Sequence, residues 1–579
     1  MAHQAETEAE ERALKAWTEG EEADVRDLDA DERVIDGGFL SALLRNQIEK
    51  DKAASYKDFV LRSAVVEGAV EISGARISRN IGFWDGCQFD NGFIADWSRL
   101  RALSFNKSRV RGCLDLFGAK LAGNFTGNGA VFEAESGHAI LAQGAEFNGW
   151  FLRQSGSNGP KIKGNAYAED AKVTTGIFVR DLALSSGQMN FTNALIEGRI
   201  YFHASAMSGG LLARRMTVSG EAKFMGQFDG HLDFTGAKLA ELALHDQAGE
   251  NKGPFMVEHP KGISRYFTAY SKSINLSNLH VDDLYLPPRC PTGGMDLSRA
   301  KIGVLHDTKE SWLPGTRAVD QWSFDYEETD KAPITLRGLE YDRLENPRGK
   351  TDDIKGRIAW LKRQSEDELK ERFNPQPWRQ LAKTLRRMGY DDDARRVRIA
   401  QRNTYRACKE CGWLTSLGYR ALDILGGYGF RPDRTAWWSA GFIVASTVIF
   451  AWPNCSEWGC FDSEIYIPVQ GAQLQTSTEP EKLALATTFE RDKYPKFDPL
   501  LYAIDVFIPL VEFGITDLWV INDQYIVTDA NGRKWPVGVM LQWWAVVLRL
   551  LGAFLSAYLI AGFTAVMLRD EVAQPTVSS

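Results

Sequence analysis

A short unit that recurs about every 11 residues constrains the fold of this chain more than any other feature. Each unit has an apolar residue at its fourth position, and the eight units from Ser63 to Gly144 also have a small residue at their second. Several units also carry an apolar pair two residues apart, such as Val70 and Ile72, and this alternation is typical of a β-strand with one buried face. The units begin at Ser63, Gly74, Gly86, Trp97, Lys107, Gly118, Gly129 and Gly144, and again at Asn193, Ala204, Arg215, Met225 and Gly236.

A unit of about 11 residues is too short to enclose a core, so its inward side chains must stack on those of neighbouring units. Two units, about 22 residues, would form one coil of a β-solenoid. The sequence therefore predicts a mainly β chain with a single-stranded β-solenoid over residues 63–340, to which weaker repeats at 278–286 and 295–305 belong. A β-sandwich with accidental spacing is the alternative.

The 579 residues are too many for one compact core, and the pattern predicts three further regions around the solenoid. Residues 1–62 should form a helical cap, with helices around 13–17 and 33–48, because an open solenoid end needs a lid. Residues 341–430 change to helical periodicity and read as a helical hairpin adaptor of the tetratricopeptide kind. Residues 431–579 read as a membrane domain.

Charge and cysteine content exclude some classes of protein. The net charge of -8 argues against a general nucleic-acid-binding protein, which would carry a basic excess. The seven cysteines are scattered and do not form a disulfide framework. The first residues are acidic and unlike a signal peptide, so we expect the N-terminus to stay in the cytosol.

Three cations occupy the third position of alternate repeat units, namely Arg76, Arg99 and Lys120. This position should point outward, one coil apart, so the three side chains are expected to form a basic column on one face. Such a column is a candidate binding site for an anionic ligand, a protein partner or a lipid headgroup. The alternative is three long side chains that extend separately into water.

Two apolar runs, at about 436–453 and 540–567, predict two membrane spans. Trp437, Trp438 and Trp452 suit the membrane interfaces of the first span. The 84 residues between the spans hold 13 acidic and 6 basic side chains, whereas arginines precede the first span. We therefore expect both termini and the solenoid in the cytosol and residues 454–537 outside. Small residues in the second span suit close helix packing and self-association, namely Gly552, Ala553, Ser556, Ala557 and Ala561.

Segment 499–515 is apolar but too short for an ordinary crossing, so a re-entrant or interfacial helix is expected. It contains Asp505 and Glu512, and the second span contains Arg549, for which either acid is a natural counter-ion. The order of span, short helix, turn and span resembles a channel subunit with a pore loop. The filter glycine pair of potassium channels is missing, and a purely structural role for Arg549 is the alternative.

Two cysteine pairs are candidates for redox or metal chemistry. Cys455 and Cys460 follow the first span and would form a disulfide in an oxidising periplasm. Cys408 and Cys411 form a C-x-x-C motif, which predicts a redox pair or half of a zinc site, or else an inert pair. No H-E-x-x-H, G-x-S-x-G or P-loop motif occurs, so the sequence predicts no catalytic residue, metal site or cofactor.

The order of several segments resembles a family of bacterial membrane proteins related to pentapeptide-repeat proteins. The segments are ERVIDGGFLSALL, repeats such as GARI and GAKL, the hinge FNPQPWRQLAKTLRRMGYDDDARRVRIAQ and the tail FDPLLYAIDVFIPLVEFG. The resemblance implies the bacterial inner membrane, with residues 454–537 in the periplasm. Members are often labelled membrane-associated oxidoreductases, but no flavin, nicotinamide, haem or iron–sulfur motif is present here.

These observations favour a non-enzymatic integral membrane protein whose cytosolic solenoid is a binding or sensor scaffold. The bilayer and an anionic ligand or protein on the solenoid are its expected partners. A pore subunit gated by the solenoid is one alternative, and a membrane-associated oxidoreductase is another.

Overall fold

A computed structural model of the chain describes residues 4–48, 57–244, 269–270, 272–287, 290–291, 293–307, 311, 334–345, 354–452, 465–468, 495–508, 513–528 and 533–571. The chain forms two compact units, Met1–Gln401 and Arg402–Ser579.

The first unit is a parallel β-solenoid of about nine turns with about 23 residues per turn, which confirms the predicted fold. Each turn passes through four faces, which we name A to D after the segments Arg76–Ile77, Asn80–Trp84, Gln88–Phe89 and Phe93–Ile94. One turn later the same faces hold Arg99, Ala102, Arg109 and Leu114, in direct register with the first. Two predicted units therefore do make one coil.

The strands of the solenoid up to residue 167 are β1 (Ala23–Asp24), β2 (Val34–Asp36), β3 (Phe59–Arg62), β4 (Val65–Glu67), β5 (Val70–Glu71), β6 (Arg76–Trp84), β7 (Gln88–Phe89), β8 (Phe93–Ile94), β9 (Arg99–Ser104), β10 (Arg109–Arg111), β11 (Leu114–Asp115), β12 (Lys120–Thr126), β13 (Val131–Leu141), β14 (Glu146–Leu152) and β15 (Lys161–Tyr167). The strands that follow are β16 (Lys172–Ser186), β17 (Met189–Asn190), β18 (Leu195–Ile196), β19 (Arg199–Met207), β20 (Leu211–Leu212), β21 (Thr217–Phe228), β22 (Leu232–Asp233), β23 (Lys238–Ala243), β24 (Ala269–Tyr270), β25 (Ile274–Asn275), β26 (His280–Tyr285), β27 (Met295–Asp296), β28 (Lys301–His306), β29 (Ile334–Thr335) and β30 (Glu340–Glu345).

The core of the solenoid consists of columns of apolar side chains that repeat from coil to coil. On face D, Val70, Phe93 and Leu114 pair in successive coils and are fully buried. Where the columns meet, aromatic rings pack closely, and the ring centroid of Phe83 lies 4.9 Å from that of Phe89. No single coil encloses this core, so the stacking itself provides the burial.

The corner between faces D and A explains why repeat units so often begin with glycine. Every corner residue has a φ between 52° and 75°, a left-handed conformation that favours glycine. At Trp97, where φ is 53°, the conformation costs about 1 kcal/mol or more. The corner residues are Gly74, Trp97, Gly118, Gly144, Asp170, Asn193, Arg215, Gly236, Asn278, Arg299 and Gly338.

The N-terminal end is closed by α1 (Glu8–Glu19) and α2 (Gly37–Leu44). Thr7 and Glu10 form a capping box at the start of α1. The helix expected over residues 33–48 was wrong in its first part, because β2 (Val34–Asp36) pairs in parallel with β4. Asp36 then accepts a hydrogen bond from the amide of Phe39 and starts α2. The cap therefore continues the sheet as well as covering it.

The C-terminal end of the solenoid is covered by helices. α3 (Ile354–Leu361) and a π-helical turn (Asp367–Glu371) precede α4 (Gln376–Arg387) and α5 (Asp391–Arg406). The Gln376 side chain accepts from the amide of Gly338 at 2.9 Å and donates to the carbonyl of Leu339 at 2.8 Å. Trp378 beside it is fully buried. The PQPW motif, which lies in the predicted adaptor, thus also caps the last coil.

The second unit contains α6 (Trp413–Gly426), a 3₁₀ turn (Gly427–Gly429), α7 (Pro432–Ala451), α8 (Pro499–Phe507) and α9 (Val537–Glu571). Two small antiparallel ladders accompany them, β31 (Tyr466–Pro468) with β32 (Trp519–Ile521), and β33 (Val527–Thr528) with β34 (Lys534–Trp535). Within the described residues, one helix is long and apolar enough to cross a membrane, over Val537–Ala561. The expected first span falls in α7, which contains serine, threonine, glycine and tryptophan and does not meet the same standard.

Candidate binding surfaces

The structure places Arg76, Arg99 and Lys120 in one column on face A. Arg76 pairs in register with Arg99, and Arg99 with Lys120, so the backbones at these positions lie one strand spacing, about 4.8 Å, apart. All three side chains are exposed. Cations directly opposite each other in a sheet repel, and this arrangement favours an anion beside them.

The charge of the column is balanced only at one end. The Lys120 Nζ lies 2.5 Å from a carboxylate oxygen of Glu146, which follows it on face A. Arg76 and Arg99 have no carboxylate within 4.0 Å in the part of the chain that is described, and neither has the neighbouring Arg101. The uncompensated part of the column is therefore the part nearest the N-terminal cap.

Sequence reasoning missed two arginines that lie beside Arg76. Arg45, just after α2, and the buried Arg79 of β6 line the same cleft as Arg76, between the cap and the first coils. The sequence did contain one signal, because Arg79 has the same phase in its strand as the buried Ile77 and Ile81. A cation at an inward position is unusual unless something specific contacts it.

The second candidate surface is the apolar exterior of the second unit. On α9, Trp543 is 66% exposed and Leu550 is 68% exposed. On α7 and α6, Trp437 and Trp413 are more than three-quarters exposed. Only 17% of the most apolar window of α9 is buried within the chain, far less than in the core helix of a soluble protein.

The inner side of α9 packs against α8 and α7. Leu548 and Leu555 are buried, and Gly552 lies so close to α8 that a Cβ added there would be 1.8 Å from the carbonyl oxygen of Phe507. The Trp544 indole donates to the Ser446 hydroxyl of α7 at 3.3 Å. Of the predicted small-residue stripe, Gly552 makes this contact, Ser556 is half-buried, and Ala553, Ala557 and Ala561 are exposed.

Asp505 is buried in α8, and its carboxylate accepts hydrogen bonds from the turn that follows the helix. It accepts hydrogen bonds from the amides of Phe513 at 2.9 Å and Thr516 at 2.8 Å, and from the Thr516 hydroxyl at 3.0 Å. Burial alone would raise its pKa, but these hydrogen bonds outweigh burial and the pKa lies below its usual value. The expected ion pair between Asp505 and Arg549 does not form, since Arg549 is exposed and has no carboxylate within 4.0 Å among the described residues. Glu512 lies outside the described residues.

Of the two cysteine pairs, the structure describes Cys408 and Cys411. Cys408 is buried and Cys411 half-buried in the connection between α5 and α6, and neither is in a disulfide in the described structure. Cys455 and Cys460 lie outside the described residues, so their predicted disulfide stays a prediction. No group of three or more histidine, cysteine or acidic side chains that could hold a metal ion occurs in the ranges described above.

The fold and these surfaces define a class, a parallel β-solenoid followed by a helical unit with one helix able to span a membrane. Comparison with protein-family models, with curated proteins and with solved structures finds no match to the chain.

Proposed function

We propose that the chain is a non-enzymatic membrane protein whose solenoid is a cytosolic binding scaffold, held at the bilayer by its C-terminal helices. The observation that carries the proposal is the direction of the large apolar side chains in the second unit. These side chains point outward on α9, α7 and α6. In water the chain would therefore expose a large apolar area. A bilayer removes this cost, since burial of apolar surface is worth about 25 cal/mol per Å².

A finer proposal assigns positions in the bilayer to α6, α7 and α9. α9 crosses it, and α7 crosses it in the opposite direction, with Trp437 and Trp452 near the two interfaces. α6 lies in the interface, because Trp413, Leu414 and Leu417 are all exposed at its start. By the positive-inside rule, the arginines that precede α7 favour a cytosolic position for the solenoid and both termini. The membrane itself is proposed to be a bacterial inner membrane.

The basic column is the proposed binding surface of the scaffold. Two facts support this assignment, namely the direct register of Arg76 with Arg99 and the exposure of both side chains. Proteins seldom keep like charges directly opposite unless a partner compensates them, because each such pair costs a few tenths of a kcal/mol. An anionic surface of a membrane-associated protein partner would supply the compensation.

Alkaline extraction of membranes tests the anchoring. The full chain should stay in the membrane pellet at high pH, and Leu550→Asp combined with Phe554→Asp should release most of it. Leu195→Asp is a matched control, since Leu195 is an exposed leucine of the solenoid. Release of the unmodified chain at high pH would contradict the proposal.

Comparative capture from native membranes tests the binding surface. The triple variant Arg76→Gln, Arg99→Gln, Lys120→Gln should lose partners that the unmodified chain retains at low salt. The control replaces Lys172, Lys238 and Lys301, which are exposed cations of the same face further along the solenoid, by glutamine. Equal capture by both triple variants would remove the assignment.

A further inference from the structure

A polar cleft of about 410 Å³ lies between the N-terminal cap and face A. One wall is the segment after α2, residues 44–47, and the other is residues 73–79 of the first coils. Trp17 of α1 closes one side. The cleft size lies within the range of small-molecule sites, but its lining is polar where such sites are mostly apolar.

Arg79 lines the cleft and is only 5% exposed. Its guanidinium carbon lies 3.7 Å from the centroid of the Trp17 ring, and its Nη1 donates to the carbonyl of Trp17 at 2.9 Å. No carboxylate lies within 4.0 Å of it among the described residues. The nearby Asp58 carboxylate instead accepts from the side-chain amide of Asn80 at 3.0 Å.

A buried cation without a counter-ion is costly. Arg79 keeps its charge at neutral pH because a guanidinium group loses its proton only at much higher pH. Stacking on Trp17 and one hydrogen bond to a neutral carbonyl offset this cost, but neither contact neutralises the charge. The geometry of the cleft therefore leaves a place for an anion next to Arg79.

Two further arginines line the same cleft. Arg76 is exposed and has no acidic partner within 4.0 Å in the described chain. Arg45 donates from Nε to the carbonyl of Glu71 at 3.0 Å, and its guanidinium lies 3.7 Å from the Glu71 carboxylate. Ser73 and Ser78 add hydroxyl groups. The described lining residues include no aspartate or glutamate, although the chain as a whole carries a net charge of -8.

We propose that this cleft binds the phosphate group of a small phosphorylated molecule. Guanidinium groups match the geometry of phosphate oxygens, and three arginines around one cleft suit a dianion better than a single carboxylate. Arg79 covers one face of the Trp17 ring and the whole side chain is buried, so Trp17 is not a platform for a nucleobase. The site goes beyond the proposed scaffold function, shares only Arg76 with the basic column, and does not depend on membrane insertion.

Calorimetric titration of the detergent-solubilised full chain with inorganic phosphate tests this proposal. Ionic strength is held constant with chloride so that nonspecific screening is matched. We expect saturable binding at one site per chain. Arg76→Gln should weaken it about tenfold or more, as expected for loss of one charge-assisted hydrogen bond, and Ser78→Asp should abolish it by placing a carboxylate in the cleft.

The matched control is Arg101→Gln, which removes an exposed arginine outside the cleft lining and should leave phosphate binding unchanged. Arg76→Gln is used in place of an Arg79 variant because Arg79 also joins the cap to the coil. Vesicles that contain phosphatidic acid form a second arm, and their competition with inorganic phosphate would identify a lipid phosphate as the source of the group.

Absence of saturable phosphate binding, or unchanged binding in both Arg76→Gln and Ser78→Asp, would overturn the proposal. This outcome is separate from failure of the scaffold proposal, because alkaline extraction reports the membrane helices and phosphate titration reports the cleft.

Discussion

Arg79 of the first coils and Trp17 of α1 are joined twice, by a stack of 3.7 Å between guanidinium carbon and ring centroid and by a hydrogen bond of 2.9 Å. The contact joins the cap to the solenoid across 62 residues of sequence. Trp17 is in turn 5.7 Å, centroid to centroid, from Phe59 of β3. Arg79 thus takes part in the contact between cap and solenoid and also lines the proposed phosphate cleft.

Replacement of Arg79 by alanine should loosen the cap. Loss of a desolvated cation–π contact and of a charged hydrogen bond should reduce the free energy of opening of α1 by about 2–3 kcal/mol. Hydrogen exchange of the α1 backbone amides measures this free energy. Arg101→Ala, at an exposed position, should change it by less than about 0.5 kcal/mol, and an equal effect of the two changes would refute the role given to Arg79.

The buried ion pair between Arg357 of α3 and Asp307 should stabilise the C-terminal end of the solenoid only as a pair. Both side chains are almost fully buried, and Arg357 Nη2 lies 2.7 Å from an Asp307 oxygen. Asp307→Ala should cost about 3–5 kcal/mol, because it leaves a buried charge, whereas Asp307→Leu with Arg357→Leu should cost much less. Denaturant unfolding of the single and double variants measures the difference.

The exposed ion pair of Arg387 and Asp342 is the control for that series, since its side chains are 49% and 71% exposed. Arg387→Ala should cost less than about 1 kcal/mol. For the buried pair, a double variant that costs as much as the two single variants together would contradict the claim that Asp307 and Arg357 stabilise the fold only as a pair.

The close approach of α9 to α8 should depend on Gly552. A side chain there must displace the carbonyl oxygen of Phe507, so Gly552→Val should cost about 2 kcal/mol or more. Ala553→Val, one residue further along and exposed, should have almost no effect. Thermal unfolding of the second unit in detergent, followed by circular dichroism, compares the two, and similar melting temperatures would show that the helices do not pack in this way.

Cys87 should resist alkylation until the solenoid unfolds. Burial raises its pKa from 9.0 to about 11, so the thiolate is scarce in the folded chain at pH 8.5. The stability that comes from keeping this thiol neutral is complete below the unfolded pKa near 9 and is lost as pH rises from there through 11. Mass spectrometry after iodoacetamide treatment should find Cys411, which is half-buried, modified well before Cys87. Rapid modification of Cys87 at pH 8.5 would contradict this prediction.

The solenoid was predictable because its signal is local and repeated. The spacing of small and apolar residues, such as Ala75 with Ile77, reports the strand phase within a single coil, and repetition then fixes the register. The same alternation predicts that the side chains of Arg76 and Arg99 point outward. The observed register places these two residues opposite each other.

The remaining features depend on contacts between distant residues, which periodicity does not report. Nothing in the sequence indicates that Trp17 contacts Arg79. Residues Val34–Asp36 form a strand because they pair with the exposed edge of β4 in the first coil. Asp505 was expected to need a cation, but nearby backbone amides satisfy its carboxylate equally well. A buried acid predicts a partner without identifying its kind.

Labelling with a photoreactive carbene probe dissolved in the bilayer is the measurement that tests the central claim most directly. With the full chain in native membranes, peptides that contain Trp543, Leu550 and Phe554 should carry the label, and the buried Leu548 should carry little. Solenoid peptides such as 99–126 should stay unlabelled. Labelling of the solenoid to the same extent as α9, or no label on α9, would contradict a scaffold held at the membrane by its C-terminal helices.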